Sequence, residues 1–264
     1  MHTLALALVE AGSQGRWEPG AHPFLYQVAR FGPWIFVAVG ALLVARALLR
    51  ARRYRALVVF SASEQERVHA ALVEAEKHTV GEIVPVVVER SDGHPGASWL
   101  AALCTMLVGS ALLEAHLPWE APHWLLLCQL GLGALGYVVA ELLPDFKRWF
   151  VSDARAEEVA QEQAFQEFHR LKLHATDGAT GVLIFVSLFE HRVIVLGDSG
   201  IHAQVGDAHW EATRDAITSN VARGQVANGL IEGVRLCGAV LAKHFPWTEG
   251  DRNEVPDRMV VRRQ

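Results

Sequence analysis

The sequence predicts a layered α/β domain that is interrupted by a pair of transmembrane helices and preceded by one further transmembrane helix. Half of the 264 residues are apolar and the mean hydropathy is +0.19, more than a soluble domain of this length needs. Three segments are long and apolar enough to cross a bilayer. The polar remainder alternates helical periodicity with short runs of β-branched residues, which is typical of α/β domains.

The three apolar segments are Phe31–Leu49, Ala97–Leu113 and His123–Leu143, each close to the roughly 20 residues that a transmembrane helix requires. Arg46 interrupts the first, but an arginine one turn from the end of a span reaches the lipid headgroups. We expect Glu141 to do the same in the third. An amphipathic helix on the membrane surface is the alternative interpretation of the first segment. The second and third segments form a hairpin.

The second span carries small side chains at every fourth residue, a pattern that favours close packing of helices. The stripe consists of Ala97, Ala101, Thr105 and Gly109. We expect it to pack within the hairpin rather than to form a dimer face.

Basic residues set the orientation of these spans. Lys147 and Arg148 follow the third span, whereas the loop 114–123 contains neither Lys nor Arg. The positive-inside rule then places residues 1–30 outside, as an extracytoplasmic segment, and both large polar segments in the cytoplasm. The start of the chain lacks the basic region of a signal peptide. The arginines at the end of the first span, which we assign as a membrane anchor, are Arg46, Arg50, Arg52, Arg53 and Arg55.

The polar segments 50–92 and 150–246 are expected to fold as one α/β domain, followed by a tail over 247–264. Ser61–Glu64 forms a capping box, and Pro85 within the first strand favours an edge position or a bulge. In order, the elements are a helix at 63–79, a strand at 81–89, a helix at 153–174, strands at 181–188 and 191–197 joined as an antiparallel hairpin, and helices at 207–222 and 225–244.

Chain direction predicts where acidic side chains gather. If the membrane hairpin leaves one rim of the sheet, the first strand runs toward that rim, the second runs parallel to it and the third runs back. Glu82, Asp177 and Asp198 then lie at the opposite rim, and Asp207 begins the next helix nearby. The C-terminal tail brings further candidates to the same rim, namely Asn253, Glu254 and Asp257.

These carboxylates have two interpretations. Taken singly, each is explained as a helix cap, a turn former or a solvated charge; Asp207, for example, looks like the N-cap of its helix. Taken together, they match the oxygen ligands of a hard cation, Ca²⁺ or Mg²⁺. The cation interpretation assigns Glu82, Asp198, Asp207 and Asp177 as ligands, and no organic cofactor is expected.

Other chemistry is excluded by the residues themselves. Gly197-Asp198-Ser199-Gly200 resembles the nucleophile loop of a trypsin-type protease, but Ile201 replaces the usual following glycine and the β-barrel framework is missing. We therefore predict that Ser199 is a turn hydroxyl and Asp198 the functional candidate. Cys237 lies on a helix rather than in a cysteine-phosphatase loop. A net charge of −5 without a basic face argues against nucleic acid as a partner.

Several short motifs follow one another in a moderately specific order and spacing. They are Gly81-Glu82-Ile83-Val84, Thr180-Gly181-Val182-Leu183-Ile184, Gly197 with Gly200-Ile201, Asp207, and Gly224 with Gly229-Leu230. In these residues the sequence resembles the TPM domain family, and within it a bacterial membrane-bound branch with a split domain. The resemblance covers roughly 60–90 and 150–257. The sequence differs from the family pattern in lacking a tyrosine before Gly229, in carrying the membrane hairpin, and in adding Asn253-Glu254-x-Pro256-Asp257.

The resemblance implies a three-layer α/β/α sandwich with a small mixed sheet, divalent-cation binding in some members and roles in maintaining membrane complexes. It also implies the weak acid-phosphatase activity attributed to plant members. By position, Glu82, Asp198 and Asp207 lie near the cation.

We therefore expect a multi-pass protein of the bacterial inner membrane, with its N-terminus outside and its TPM-like domain in the cytoplasm. This domain is expected to bind a divalent cation and to assist the assembly or maintenance of membrane protein complexes. The expected partners are the lipid bilayer and other membrane proteins. The alternative is a metal-assisted acid phosphatase, a phosphoric monoester hydrolase, that uses the same carboxylates. Of the two, we expect the non-catalytic module.

Overall fold

The computed structural model describes residue 45 and residues 60–114, 122–176, 178–202, 204–205, 207–249, 254–255 and 258–262; for 113–114, 122–124, 202 and 207–208 it describes the backbone only. The chain divides into two units, Met1–Ala47 and Leu48–Gln264, and every element named below belongs to the second. The predicted extracytoplasmic segment, the first span apart from Ala45, and the anchor arginines Arg46, Arg50, Arg52, Arg53 and Arg55 lie outside the described residues.

The helices and strands follow the predicted order closely. The helices are α1 (Ala62–Glu76), α2 (Pro95–Glu114), α3 (Pro122–Leu142), α4 (Pro144–Arg148), α5 (Asp153–Arg170), α6 (Ser199–His202), α7 (Asp207–Ala222) and α8 (Val226–His244), with a 3-10 turn at Leu173–Ala175. The strands are β1 (Glu82–Val88), β2 (Gly181–Ser187), β3 (Arg192–Gly197) and β4 (Val260–Arg262). The predicted capping box of α1 is confirmed, because Ser61 and Glu64 exchange side-chain and backbone hydrogen bonds.

The strands form a small mixed sheet in the order β3-β2-β1-β4. β1 pairs with β2 in parallel, and β2 pairs with β3 antiparallel, as the chain direction predicts. At one end of the sheet Val88 lies beside Ser187, and the chain continues from β1 into α2; this end is called the hairpin rim. At the other end Glu82 lies beside Gly181; this end is called the acidic rim.

The expectation that Pro85 places its strand at an edge or a bulge was wrong, because β1 is a central strand. β2 pairs with all of β1, but β4 pairs only with its last three residues, Val86–Val88. The backbone N–H of Glu82 points toward β2, where it reaches Thr180, so the nitrogen of Pro85, an odd number of residues away, points toward β4. Since β4 has not yet begun at that position, no ladder hydrogen bond is lost.

Alternate residues of the strands face two separate hydrophobic clusters. One cluster joins residues such as Ile83, Val182 and Val193 to α1, α7 and α8. The other joins Val84, Phe185 and their neighbours to α5. The apolar positions of α8 that are spaced three or four residues apart are fully buried: Leu230, Val234, Cys237 and Leu241.

The helices α2 and α3 pack against each other as the predicted hairpin. Both are long and apolar enough to cross a membrane, over Pro95–Leu112 and Leu125–Leu142. The predicted small-residue stripe lies at their contact. A Cβ on Gly109 would lie 2.7 Å from Leu132, and one on Gly136 of α3 would lie 2.6 Å from the hydroxyl of Thr105. Only small residues permit this close approach.

The base of the hairpin carries a polar contact that was not expected. Oε1 of Glu141 accepts hydrogen bonds from Ser98 Oγ at 2.5 Å and from Lys147 Nζ at 2.8 Å, and the position of this residue at the lipid headgroups stays a prediction. The lysine is buried, so its charge requires this carboxylate as a partner. The contact ties the start of α2 and the end of α3 to α4.

Candidate functional site

The acidic rim brings two of the predicted ligands to the same end of the sheet. Glu82 is the first residue of β1 and stands beside Gly181, the first residue of β2. Asp198 directly follows β3, and its backbone N–H donates to the carbonyl of Gly181 at 2.9 Å. The predicted convergence of these carboxylates on the rim opposite the hairpin is therefore confirmed for Glu82 and Asp198.

Glu82 is buried and holds the C-terminal segment. Its Oε1 accepts a hydrogen bond from the backbone N–H of Glu254 at 2.9 Å, across 172 residues of sequence. The neighbouring Ile83 donates its N–H to Oε1 of Glu76 at the end of α1. The expectation that the tail returns to this rim is confirmed at Glu254. Asn253 and Asp257 lie outside the described residues.

Asp198 has one carboxylate oxygen bonded and one without a partner. Its Oδ1 accepts from the backbone N–H of Ser199 at 2.6 Å. Its Oδ2 is shielded from solvent and has no hydrogen-bond partner among the described residues. A buried polar atom without a partner is costly, and a bound cation is one way to satisfy it.

The loop that follows Asp198 packs against the loop that carries Asp177. Gly200 lies so close to the backbone carbonyls of Gly178 and Ala179 that a Cβ would meet them at 2.5 and 2.7 Å. Asp177 itself lies outside the described residues, as does the side chain of Asp207. The N-cap expectation for Asp207 differs slightly from the structure, in which α7 begins at this residue.

The rim fits a cation only in part. Among the side chains that the structure describes, no group of three or more His, Cys, Asp and Glu residues could hold a metal ion. A hard cation takes about six oxygen ligands or more, so Glu82 and Asp198 alone do not form a complete site. The cation assignment therefore stays a prediction that depends on Asp177 and Asp207.

The two nucleophiles considered in the sequence, Ser199 and Cys237, lie in different surroundings. Ser199 is exposed and begins the four-residue helix α6, so it lies in a helical turn rather than an open turn. Cys237 is fully buried, and burial raises the pKa of its thiol to about 12, which leaves it inert as a nucleophile.

A second polar cluster, at the hairpin rim, was not predicted. It consists of Glu190 in the turn between β2 and β3, His94 just before α2, and Ser187 at the end of β2. His94 Nε2 lies 2.7 Å from Glu190 Oε1, the hydroxyl of Ser187 donates to Glu190 Oε2, and the N–H of Ser91 reaches the same oxygen at 3.0 Å. Both Glu190 and His94 are buried. The cluster connects the sheet to the first residues of the membrane hairpin.

The pKa of Glu190 is set by burial and by the hydrogen bonds that its carboxylate accepts. Burial alone raises the pKa of its carboxyl, but hydrogen bonds from His94, Ser187 and the N–H of Ser91 outweigh burial and hold the pKa below its ordinary value. The carboxylate is therefore ionised at neutral pH. A signal for this cluster is present in the sequence as a glutamate at a turn between two apolar strands, but nothing in the pattern shows that the turn is buried.

One family model and one solved structure are similar to parts of this chain. Residues 143–240 match the family model of the TPM domain. No curated protein matches the chain. Among solved structures, the chain is similar to the NMR structure of the BA42 protein from the psychrophilic bacterium Bizionia argentinensis, with 23% sequence identity and a TM-score of 0.49 over 76% of this chain and 94% of that one.

Proposed function

We propose that the protein is a membrane-anchored TPM module that binds a divalent cation at the acidic rim, a proposal supported by the match of residues 143–240 to the TPM domain model. The module assists the assembly or maintenance of membrane protein complexes. Its domain is layered as an α/β/α sandwich, a proposal supported by the two hydrophobic clusters that alternate residues of the sheet form with different helices.

The exposed apolar surface of the hairpin supports membrane anchoring. The core helix of a soluble protein buries its apolar side chains, but only 22% of the first apolar window and 11% of the second are buried. Each large apolar side chain left in water forgoes about 1.5–3 kcal/mol of burial free energy, so a lipid environment is strongly favoured. Trp99 and Tyr137 contact each other near the base of the hairpin, and Trp149 after α4 is exposed. Aromatic residues at this level are typical of a membrane–water interface.

The orientation follows from the charges at the hairpin ends. Lys147 and Arg148 stand where α3 leads into the α/β part, and the positive-inside rule assigns that side to the cytoplasm. We infer a multi-pass protein of the bacterial inner membrane whose TPM domain is cytoplasmic.

The unpartnered Oδ2 of Asp198 is the single observation that carries the cation proposal. A carboxyl oxygen shielded from water is unfavourable unless a positive charge or a hydrogen-bond donor satisfies it. Asp177 and Asp207 would supply further oxygens from the neighbouring loop and from the start of α7. Glu82 would act beside the cation by holding the C-terminal segment at the rim. The bound cation would neutralise these carboxylates and join the loops that carry them.

Titration of the whole chain in detergent micelles with Ca²⁺ and Mg²⁺ tests this proposal. A ligand that binds only the folded state stabilises it by about 2.7 kcal/mol at a hundred times its Kd, so the melting temperature should rise in one of the two ions. Asp198→Asn should abolish the rise. The control is Glu158→Gln, which removes one exposed carboxylate from α5 and should leave the rise intact. An unchanged melting temperature of the unaltered protein in both ions contradicts cation binding.

The phosphatase alternative is tested with the same variants. If the protein hydrolyses p-nitrophenyl phosphate only with the cation present, and Asp198→Asn abolishes this activity, the protein is a metal-assisted hydrolase rather than a non-catalytic module. Stabilisation by the cation without turnover supports the module.

A further inference from the structure

Among the strands that the structure describes, β3 forms an edge of the sheet. In the strand order β3-β2-β1-β4 it pairs with β2 and has no described strand on its outer side. An edge strand presents a row of backbone N–H and C=O groups that pair with another strand when one is available. Five of the six residues of β3, Val193–Gly197, line a groove of about 430 Å³.

The register identifies which backbone groups face this groove. Asp198 donates its N–H to Gly181, which makes these two residues a hydrogen-bonded pair of the antiparallel ladder. Such pairs alternate along the strands, so the backbone groups of Leu196 and Ile194 also point toward β2. Those of Val193, Val195 and Gly197 point outward, into the groove.

The outer side of β3 lacks the devices that protect edge strands. Natural edges are blocked by proline, by lysine or by a bulge, and β3 contains none of these. Its one charged residue, Arg192, pairs with Asp153 at the start of α5, with Nη2 and Oδ1 2.9 Å apart, and with Glu157. Its guanidinium therefore does not guard the edge.

The walls of the groove provide apolar surfaces on both faces of the strand. Phe165 and Phe168 of α5 line one wall, and the exposed fraction of Phe165 is 56%. Trp210 of α7 lines the other and lies over Gly197, where a Cβ would meet its ring at 3.2 Å. An added strand would place alternate side chains against these two walls.

The charges at the groove favour a basic occupant. Glu157 and Glu211 contribute carboxylates, and Arg214 contributes the one guanidinium among the lining residues. Glu157 already forms an ion pair with Arg192. The charge of Arg214 is likewise matched by Asp215, with Nε and Oδ1 3.6 Å apart. Glu211 is exposed and, unlike Glu157, forms no ion pair with any described residue.

The groove begins at the hairpin rim. β3 starts at Arg192, beside Ser187 at that rim, and ends at Gly197 near the acidic rim. A polypeptide that leaves the bilayer next to the hairpin would therefore meet the groove at its first residues.

We infer that the outer edge of β3 binds an extended segment of a neighbouring membrane protein, which adds to the sheet as a fifth strand and carries a basic residue opposite Glu211. This inference rests on the proposed role in membrane complexes and names the chemistry of the partner. Backbone hydrogen bonds supply affinity, and Trp210, Phe165 and Glu211 supply selectivity.

A synthetic peptide tests the inference on the full chain in detergent micelles. The probe is a fluorescent nonapeptide of alternating valine and threonine with lysine at its centre, and binding is followed by fluorescence anisotropy. We expect saturable binding, and weaker binding of the same peptide with glutamate in place of lysine. A third peptide, N-methylated at every residue, has no backbone N–H to donate to the strand edge and should not bind.

Val195→Pro tests the backbone pairing. The N–H of Val195 points away from β2, so proline removes an outward donor without breaking the β2–β3 ladder. We expect this substitution to raise the Kd of the lysine peptide by about tenfold or more. This is the cost of losing one hydrogen bond and leaving its acceptor on the peptide unpaired. Val195→Thr keeps the N–H and nearly the same shape, and should bind as the unaltered protein does.

Glu211→Lys tests the charge. This substitution should weaken binding of the lysine peptide severalfold and strengthen binding of the glutamate peptide. Three results would each overturn the inference. They are equal binding of the N-methylated peptide, no saturable binding of the lysine peptide at millimolar concentration, and an affinity for the lysine peptide that neither substitution changes. So would a dimer of the unaltered protein that Val195→Pro dissociates, because a second copy would then occupy the edge. The assay contains a chelator, so its failure leaves the cation proposal standing.

Discussion

The imidazole of His94 and the carboxylate of Glu190 form a buried contact, with Nε2 and Oε1 2.7 Å apart, between the start of the α2–α3 hairpin and the turn between β2 and β3. His94 adopts a left-handed backbone conformation, with φ of 45°, which is uncommon for a residue with a side chain. Its ring also lies 5.3 Å from that of Phe189. The hairpin is thus fastened to the sheet by a specific polar contact as well as by chain connectivity.

Glu190→Gln should destabilise the protein. Glutamine is uncharged and keeps only one acceptor oxygen, so the charge-assisted hydrogen bonds that Ser91, Ser187 and His94 make with the two carboxylate oxygens are weakened or lost. We expect a loss of about 1–3 kcal/mol in the free energy of unfolding, measured by chemical denaturation in micelles. Glu158→Gln on the exposed face of α5 should stay within about 0.5 kcal/mol of the unaltered protein. Equal effects of the two substitutions would contradict the assigned role of Glu190.

Glu190 should also make stability fall in acid. Its folded pKa lies below the ordinary value, so the ionised carboxylate favours the folded state. This contribution is complete above the unfolded-state pKa of glutamate, about 4.3, and is lost as the pH falls through the lower folded value. The free energy of unfolding, measured from neutral pH downward, should decline less steeply in Glu190→Gln than in the unaltered protein. Parallel curves would contradict the prediction.

Two glycines of α3 should respond differently to the same substitution. Gly136→Ala would place a Cβ 2.6 Å from Thr105 Oγ1 and 3.0 Å from the carbonyl of Ala101, whereas Gly131 has nothing within 4 Å. Both changes gain the same helix propensity, so the difference between them reports the cost of overpacking, about 1–3 kcal/mol. Thermal denaturation in micelles should rank Gly136→Ala below Gly131→Ala. The reverse order would mean that α2 and α3 do not pack as described.

Glu141 and Lys147 should behave as a coupled pair. Lys147 is buried, and its Nζ lies 2.8 Å from Glu141 Oε1, so removal of the glutamate alone leaves a buried charge without its partner. We expect Glu141→Gln and Lys147→Met each to destabilise the protein, and the double variant to be more stable than the sum of the two losses predicts. A double-mutant cycle should give a coupling free energy of about 0.5–3 kcal/mol. Additive losses would show that the pair does not interact.

Periodicity and chain direction were sufficient to predict most of the fold. The apolar stripe of α8 and the capping box of α1 are local patterns, and they placed those helices to within about one to three residues. The shared rim of Glu82 and Asp198 follows from the alternation of strand direction alone. These features depend on residues close in sequence or on connectivity, both of which a single chain displays.

Features that depend on distant contacts were missed. β4 is only three residues long, and its pairing with the last part of β1 cannot be inferred from its own sequence. Pro85 was assigned to an edge because proline has no backbone N–H to donate to a neighbouring strand. The sequence does not reveal that β4 begins only beside Val86, one residue later. The burial of Glu190 depends on residues nearly a hundred positions away, including Ser91 and His94, so no local pattern could reveal it.

The hydrogen bond between Ser98 and Glu141 spans the two ends of the inserted hairpin. Since those ends lie together at one rim, the long insertion acts on the α/β part like a short connection, and the entropy of closing it does not grow with the length of the helices. The hairpin helices can therefore be lengthened or shortened without altering the register of any strand.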